Sequence, residues 1–241
     1  MKFYSEIASA YDEIFPLQHP QYNFVAQYFS ADSLILDIGC GTGNLAIKLA
    51  QNNFLVYAFD SDETMLNHAE QKAKVNLNIR FFNLTMKNFS EKFSKICFDG
   101  ILCFGNTIVH LNSFQEVENF FCEVKKILSE NGKFLFQIIN YDRILDQKIT
   151  SLPTIETDNY SFIRNYSYNK TIHKIIFHTI LKDKHSQTIT ENKVELLPLR
   201  KSEIAEMLAK AGFRNVLFFS DYNNTAFHIN SQPFQVISNS E

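Results

Sequence analysis

The stretch "LILDIGCGTGN", Leu34 to Asn44, decides how the rest of the chain is read. A short apolar run, Leu34-Ile35-Leu36, leads into three glycines at alternate positions, Gly39, Gly41 and Gly43. Helical spacing resumes at once in "LAIKLAQ" through Leu45 and Leu49. The pattern is strand, tight turn, helix. The glycines let the chain turn sharply and approach a ligand with no Cβ in the way. Their spacing also narrows the ligand. A dinucleotide fingerprint needs its third glycine at position 44, where Asn44 stands, and a P-loop needs a Lys that does not follow. Asp37 lies against the loop and opposes a pyrophosphate, but suits a ligand with ammonium or sulfonium charge. Asp60 falls 21 residues after Gly39 at the end of the next strand, "FLVYAFD", placed to accept hydrogen bonds from both ribose hydroxyls.

Outward from this loop, strands and helices alternate. Ser61 or Asp62 offers an N-cap for a helix holding Met65, Leu66 and Ala69. "NIRFF" and "FDGILCF" read as the third and fourth strands. Ser113 caps a long helix with the stripe Phe114, Val117, Phe121, Val124 and Leu128, which Asn131-Gly132 is expected to end before a fifth strand, "KFLFQII". The alternation predicts right-handed crossovers and a mostly parallel, seven-stranded, Rossmann-like α/β sheet with helices on both faces. The rhythm changes after residue 150. From about 155 to 198 strand-like alternation continues without helices, with turns near Asn169-Lys170 and Lys182 to Ser186. We therefore divide the chain into a ligand-binding domain, 1–150 and 199–241, and a small antiparallel β insertion, 151–198. Tyr160, Phe162, Tyr166 and Tyr168 share one face of that insertion. They form a cap over the site, a homodimer face, or a plain hydrophobic face.

A chain of 241 residues with 45% apolar and 20% charged residues can bury a full core. A net charge of −3 offers no global attraction for nucleic acid or an anionic membrane. Glu6, Asp12 and Glu13 occupy the place of a signal peptide's apolar core, and no apolar run reaches the ~20 residues of a spanning helix. A cytoplasmic protein is expected. Cys40, Cys97, Cys103 and Cys122 lack C-x-x-C spacing and read as buried free thiols. No metal is expected: His173 and His178 differ by an odd number and should face opposite sides of one strand.

"LDIGCGTGN" followed by "YAFDSDETML" resembles the class I S-adenosylmethionine-dependent methyltransferases. The resemblance extends from "IASAYDEIF" through "LSENGKFLF" to "LAKAGF". It implies S-adenosyl-L-methionine as cofactor and S-adenosyl-L-homocysteine as product. Gly39 and Gly41 then border the methionine part, Asp60 takes the ribose, and Ser61 and Met65 lie near the adenine. Asp37, Cys40, Gly43, Met86 and Phe104 complete the implied cofactor-binding set. The family often has Asp-Met after the third strand, where this chain has Thr85-Met86; the threonine hydroxyl can accept the same hydrogen bond without charge.

The acceptor side is read from "CFGNTIVHL". Enzymes methylating base amino groups usually carry [Asp/Asn]-Pro-Pro-aromatic here, and this chain has Phe104-Gly105-Asn106-Thr107. That absence argues against a nucleic-acid substrate. "GNTIVHL" and "INYDRIL" are similar instead to small-molecule N-methyltransferases of the glycine and sarcosine type. In those a Gly-Asn-Ser stretch and an Arg-Asn-Tyr-Asp stretch border the acceptor. Asn140, Tyr141 and Asp142 are kept, but Ile139 replaces the arginine and cannot grip a carboxylate. A bulkier or less anionic small molecule is expected, methylated on nitrogen or oxygen by in-line displacement. Candidate acceptor-side residues are Asn106 (or a loop-capping amide), His110 (a general base, or a packing histidine), Tyr141 as pocket lining, and Tyr11 as a lid or a sheet-packed tyrosine. The rival reading is a catalytically silent cofactor-binding or partner-binding domain.

Overall fold

The computed structural model describes residues 2–240. Two helices, α1 (Lys2–Ile14) and α2 (His19–Ala26), precede an alternating α/β core. The core runs β1 (Leu34–Ile38), α3 (Asn44–Ala50), β2 (Leu55–Asp60), α4 (Glu63–Lys72) and β3 (Ile79–Asn83). It continues with α5 (Phe89–Lys92), β4 (Phe98–Cys103), α6 (Phe114–Lys126), β5 (Leu128–Ile139) and α7 (Tyr141–Asp146). Four strands then follow without a helix: β6 (Ser151–Glu156), β7 (Tyr160–Asn169), β8 (Lys174–Asp183) and β9 (Ile189–Leu196). The chain finishes with α8 (Lys201–Lys210), β10 (Arg214–Phe219) and β11 (Pro233–Asn239).

The seven-stranded sheet has the order β10-β11-β5-β4-β1-β2-β3. β1 to β5 pair in parallel, and β11 is antiparallel to both β5 and β10. From β1 the chain builds outward to β3, then returns to place β4 on β1's other side. Strand order reverses there, which opens a crevice at the carboxyl ends of β1 and β4. Helices cover both faces, so β1 and β4 are almost wholly buried. Phenylalanine fills most of this core: all but one of the largest fully buried side chains are Phe, the exception being Tyr141. The second sheet, β6-β7-β8-β9, is antiparallel throughout. Its first strand, "SLPTIE", lies outside the expected run of alternation because Pro153 interrupts it. As an edge strand, β6 tolerates the missing donor.

Three readings need correction. Helix α6 ends at Lys126, so Leu128 and Asn131-Gly132 lie in β5. Between Phe98↔Leu128 and Gly100↔Lys133 the β4–β5 ladder shifts register, and this bulge absorbs the extra residues. Gly132 is needed there for close approach: a Cβ would stand 3.0 Å from the Phe98 carbonyl oxygen. His173 lies before β8, at positive φ, where strand parity does not apply. Of the cysteines, Cys103 is buried, Cys40 half-buried, and Cys97 and Cys122 exposed; all four are free thiols. Among the described residues no group of three or more His, Cys, Asp or Glu could hold a metal ion, and no helix is long and apolar enough to cross a membrane.

Candidate active site

The loop after β1 holds its shape through backbone bonds to β2. Gly39 and Cys40 both donate to the Phe59 carbonyl, at 2.9 and 3.0 Å. Gly41 N donates to Asp60 Oδ2 at 2.8 Å, and Asp62 N to Asp60 Oδ1 at 2.9 Å. Asp60 thereby joins the glycine loop to the start of α4 and keeps acceptor capacity on both oxygens. Gly39, Gly41 and Gly43 all have positive φ. At Gly39 a Cβ would lie 2.4 Å from Thr107 Cγ2, so side-chain-free backbone lines a narrow passage there. Asp62 is the N-cap of α4, accepting from Thr64 N and Met65 N, and it also accepts from Ser5 Oγ at 2.6 Å.

Beside this loop lies a cleft of about 320 Å³. Gly39, Gly41, Asp60, Ser61, Met65 and Phe104 form one part of its wall, and Thr85 and Met86 another. Thr85 Oγ1 donates to Asn88 at 3.0 Å and receives a long bond from Lys87 N at 3.4 Å, leaving acceptor capacity toward the cleft. A second cavity of about 490 Å³ adjoins it, sharing Gly39, Phe104, Gly105, His110, Tyr4 and Tyr11. Asp37, Cys40 and Asn106 face this second space. Gly43 faces neither and caps α3 in the left-handed conformation.

Asp37 is buried, 3% exposed, with no basic side chain within ion-pair distance among the described residues. Burial and then the Asp60 charge push its pKa up to about 7. A buried carboxylate without a cation is costly, and a cationic ligand relieves that cost. Together with the Asp60 carboxylate and the glycine cradle, this donor set fits S-adenosylmethionine.

The acceptor-side residues fare differently. Asn106, at positive φ, receives Ile139 N on Oδ1 and donates Nδ2 to Tyr141 Oη, both at 3.0 Å. Its amide pins the post-β4 loop to β5 while still lining the cavity. Tyr141 does not line it. The ring is 0% exposed behind Asn106, because it starts α7 on the core side and packs in the main hydrophobic cluster. Asn140 and Asp142 are also structural: Asn140 caps α7 and Asp142 pairs with Arg200 at 3.0 Å. His110 lines both spaces, with Nε2 2.9 Å from Tyr4 Oη. Burial pushes its pKa down to about 4, so it is neutral at physiological pH and a weak proton acceptor.

Tyr11 lies over the loop, its ring 3.6 Å from where a Gly41 Cβ would be. Helix α1 is latched there by a polar cluster invisible in the sequence. Asp12 accepts from Thr42 Oγ1, Asn44 Nδ2 (2.9 Å) and Lys72 Nζ (2.5 Å). The next residue, Glu13, accepts from Thr157 and Asn159 of the insertion. Adjacent acids thus tie one helix to the glycine loop and to the roof. Phe162 and Tyr166 face the cavity, and Phe162 packs edge-on against Phe15 at 5.7 Å. Tyr160 joins the same apolar cluster, whereas Tyr168 is 37% exposed and bonded to His173. The aromatic face is therefore covered by the chain's own α1 over most of its length. Gln137 was also missed. It lines the cavity and holds Gly105 N at 3.1 Å, and its one trace in the sequence is a polar residue inside "KFLFQII".

A parallel sheet with this switch-point crevice, a glycine turn, and an acid ending the second strand define a class I methyltransferase fold. Comparison with known proteins agrees. Residues 35–132 match the family described as a methyltransferase domain. A protein of Geobacillus sp. (strain WCH70) that bears the name of a methyltransferase is 39% identical over 105 residues, 43% of this chain and 41% of the relative. The match thus spans less than half of that relative's length. A glycine/sarcosine N-methyltransferase of Aphanothece halophytica is 25% identical over 205 residues, 84% of this chain and 74% of the relative. In structure, the CcbJ methyltransferase from Streptomyces caelestis superposes with a TM-score of 0.81 at 21% identity, covering 96% of this chain and 95% of that one. The last likeness shows the fold alone. The family match takes in the glycine loop and Asp60, and the fold is that of the class I S-adenosylmethionine-dependent methyltransferases.

Proposed function

We propose that the protein methylates a nitrogen or oxygen of a small-molecule acceptor seated in the 490 Å³ cavity. The observation that carries this reading is the shared wall. Gly39, Phe104, Gly105 and His110 border both spaces, so a ligand in one meets a ligand in the other. The roof of α1 and the β insertion supports a small acceptor over a nucleic acid, and the volume is that of an ordinary small-molecule site. When bound, S-adenosylmethionine supplies an electrophilic methyl carbon on a sulfonium, displaced in line by the acceptor's lone pair to leave S-adenosylhomocysteine. Asp37, Asp60 and the glycine loop hold the donor side. Tyr11 and Tyr4 exclude water from above. Asn106 and His110 orient the acceptor, which enters as a free amine or loses its proton to solvent, since neutral His110 is too weak a base to draw it off.

The test is transfer from methyl-labelled S-adenosylmethionine to a panel of small amines, alcohols and hydroxy acids, with RNA, DNA and protein as alternative acceptors. Label in a small molecule supports the reading. Label only in a macromolecule, or none with any acceptor, overturns it.

A further inference from the structure

Each end of the acceptor cavity carries one charge. Asp37, at the loop end, is its acid; Arg164, from β7 of the insertion, is the one Lys or Arg lining it among the described residues. No ion pair joins Arg164 to any carboxylate among the described residues. Its inward face is otherwise apolar on either side: Phe162 pairs with Leu181, and Tyr166 with Phe177. Arg164 itself is opposite Thr179, which in turn is opposite Asn192, so one polar row crosses an apolar sheet face. Two donors in that row, Arg164 Nε and Asn192 Nδ2, are buried without an acceptor. One arm of the guanidinium is fixed, Nη2 donating to the Pro153 carbonyl at 2.6 Å. Burial pulls the Arg164 pKa down, yet the group stays charged.

A half-buried guanidinium with no counter-charge is an expensive feature for a fold to keep. A carbonyl satisfies one donor and none of the charge. The planar fork matches an oxyanion with two acceptor oxygens, and an anion there meets the remaining donors. Resting on the small-molecule reading above, we propose that Arg164 binds an oxyanion on the methyl acceptor, a carboxylate or a phosphate, and so selects anionic acceptors. This revises the less anionic acceptor expected from Ile139. The cation enters from the insertion instead of β5, so the anion docks on the roof while the reacting atom lies by the loop.

The experiment uses three probes of similar shape, benzoate, phenyl phosphate and benzamide, titrated by calorimetry into the full chain saturated with S-adenosylhomocysteine. At least one anion is expected to bind tenfold or more tightly than benzamide. Arg164→Met should bring anion and amide within twofold of each other while leaving S-adenosylhomocysteine affinity within twofold of the parent. Arg164→Lys should keep an intermediate preference. The favoured anion should raise the Tm of the parent and leave that of Arg164→Met unmoved, a readout a purely structural arginine would not give. The proposal is overturned if benzamide binds as well as both anions, if neither anion binds at millimolar concentration, or if Arg164→Met keeps the preference. Failure of S-adenosylhomocysteine to bind the parent would instead defeat the methyltransferase reading, with the anion titrations repeated in its absence still reporting on Arg164.

Discussion

The two halves of the site are built in different ways. The cleft proposed for the cofactor is made of strand ends and the turns that leave them: Gly39 and Gly41 after β1, Asp60, Ser61 and Met65 after β2, Thr85 and Met86 after β3, Phe104 after β4. The acceptor cavity is assembled from α1, the post-β4 loop, β5 and the insertion, with contacts such as Tyr4–His110 that span 106 residues. Local chain geometry places the first. Only the packing of distant elements places the second. Substitutions in the cleft and in the glycine loop should therefore act on donor binding, and those on the β5 and insertion walls of the cavity on acceptor use with the donor unaffected.

The largest effect is expected at Asp37. Its folded pKa stands near 7 against an ordinary 3.8, so between those values the unfolded chain has lost a proton that the folded chain keeps. Stability of the ligand-free chain should fall as pH rises from about 4 to 7 and stay low above. Asp37→Asn removes the penalty: urea unfolding should show it more stable than the parent at pH 8 by up to about 4 kcal/mol, and equal near pH 4. It should bind S-adenosylhomocysteine more weakly all the same. Equal stability of the two chains at pH 8 would show that Asp37 ionises freely.

Next in size is Asp60→Ala, which removes two backbone anchors and the carboxylate proposed to take the ribose. Hydrogen bonds to a charged group are worth about 1.5–3 kcal/mol each, so calorimetry should show at least a hundredfold loss of S-adenosylhomocysteine affinity. A loss under tenfold would break the equation of this carboxylate with the donor site.

Asp12→Ala probes the seam between the halves, since it frees α1 from Thr42, Asn44 and Lys72. The group is partly exposed, so the cost should be about 1 kcal/mol in stability. Both donor affinity and acceptor KM should worsen by several-fold, because α1 covers both spaces. An effect on one alone would show that Tyr4 and Tyr11 serve only that side.

The smallest expected change is Tyr141→Phe, which deletes one buried hydrogen bond to Asn106, worth about 1 kcal/mol. Acceptor KM should rise up to about fivefold with S-adenosylhomocysteine affinity unchanged. A collapse of kcat at constant KM would place Tyr141 at the reacting atoms, against its burial.

Asp60 and Tyr141 show what could be read beforehand. Asp60 ends an apolar strand a set distance after the glycines, and a strand's last residue in a parallel sheet has one destination, the crevice at the carboxyl edge. Tyr141 also follows a strand, but whether its ring enters the cavity or the core depends on how α7 packs, and sequence spacing does not report that. Asn106 carries the same ambiguity: an amide after β4 can meet a ligand or hold a loop, and here it holds Ile139 and Tyr141 while bordering the cavity. Arg164 sits in a strand of alternating polarity, where an outward-facing arginine is commonplace. Period two gives it the face of Phe162 and Tyr166, but that this face turns inward follows only from α1 lying across it.

By itself the sequence determined the alternating α/β sheet, the antiparallel insertion and the glycine turn beside a strand-end acid, because hydrophobic period, glycine geometry and strand ends act over a few residues. The tertiary structure alone decided where α6 stops, that Asp12 and Glu13 latch one helix to loop and roof, that Tyr141 supports instead of lining, and that Arg164 faces inward uncompensated. Those outcomes depend on burial and charge pairing between segments far apart in the chain, and such energies exist only once the segments have met.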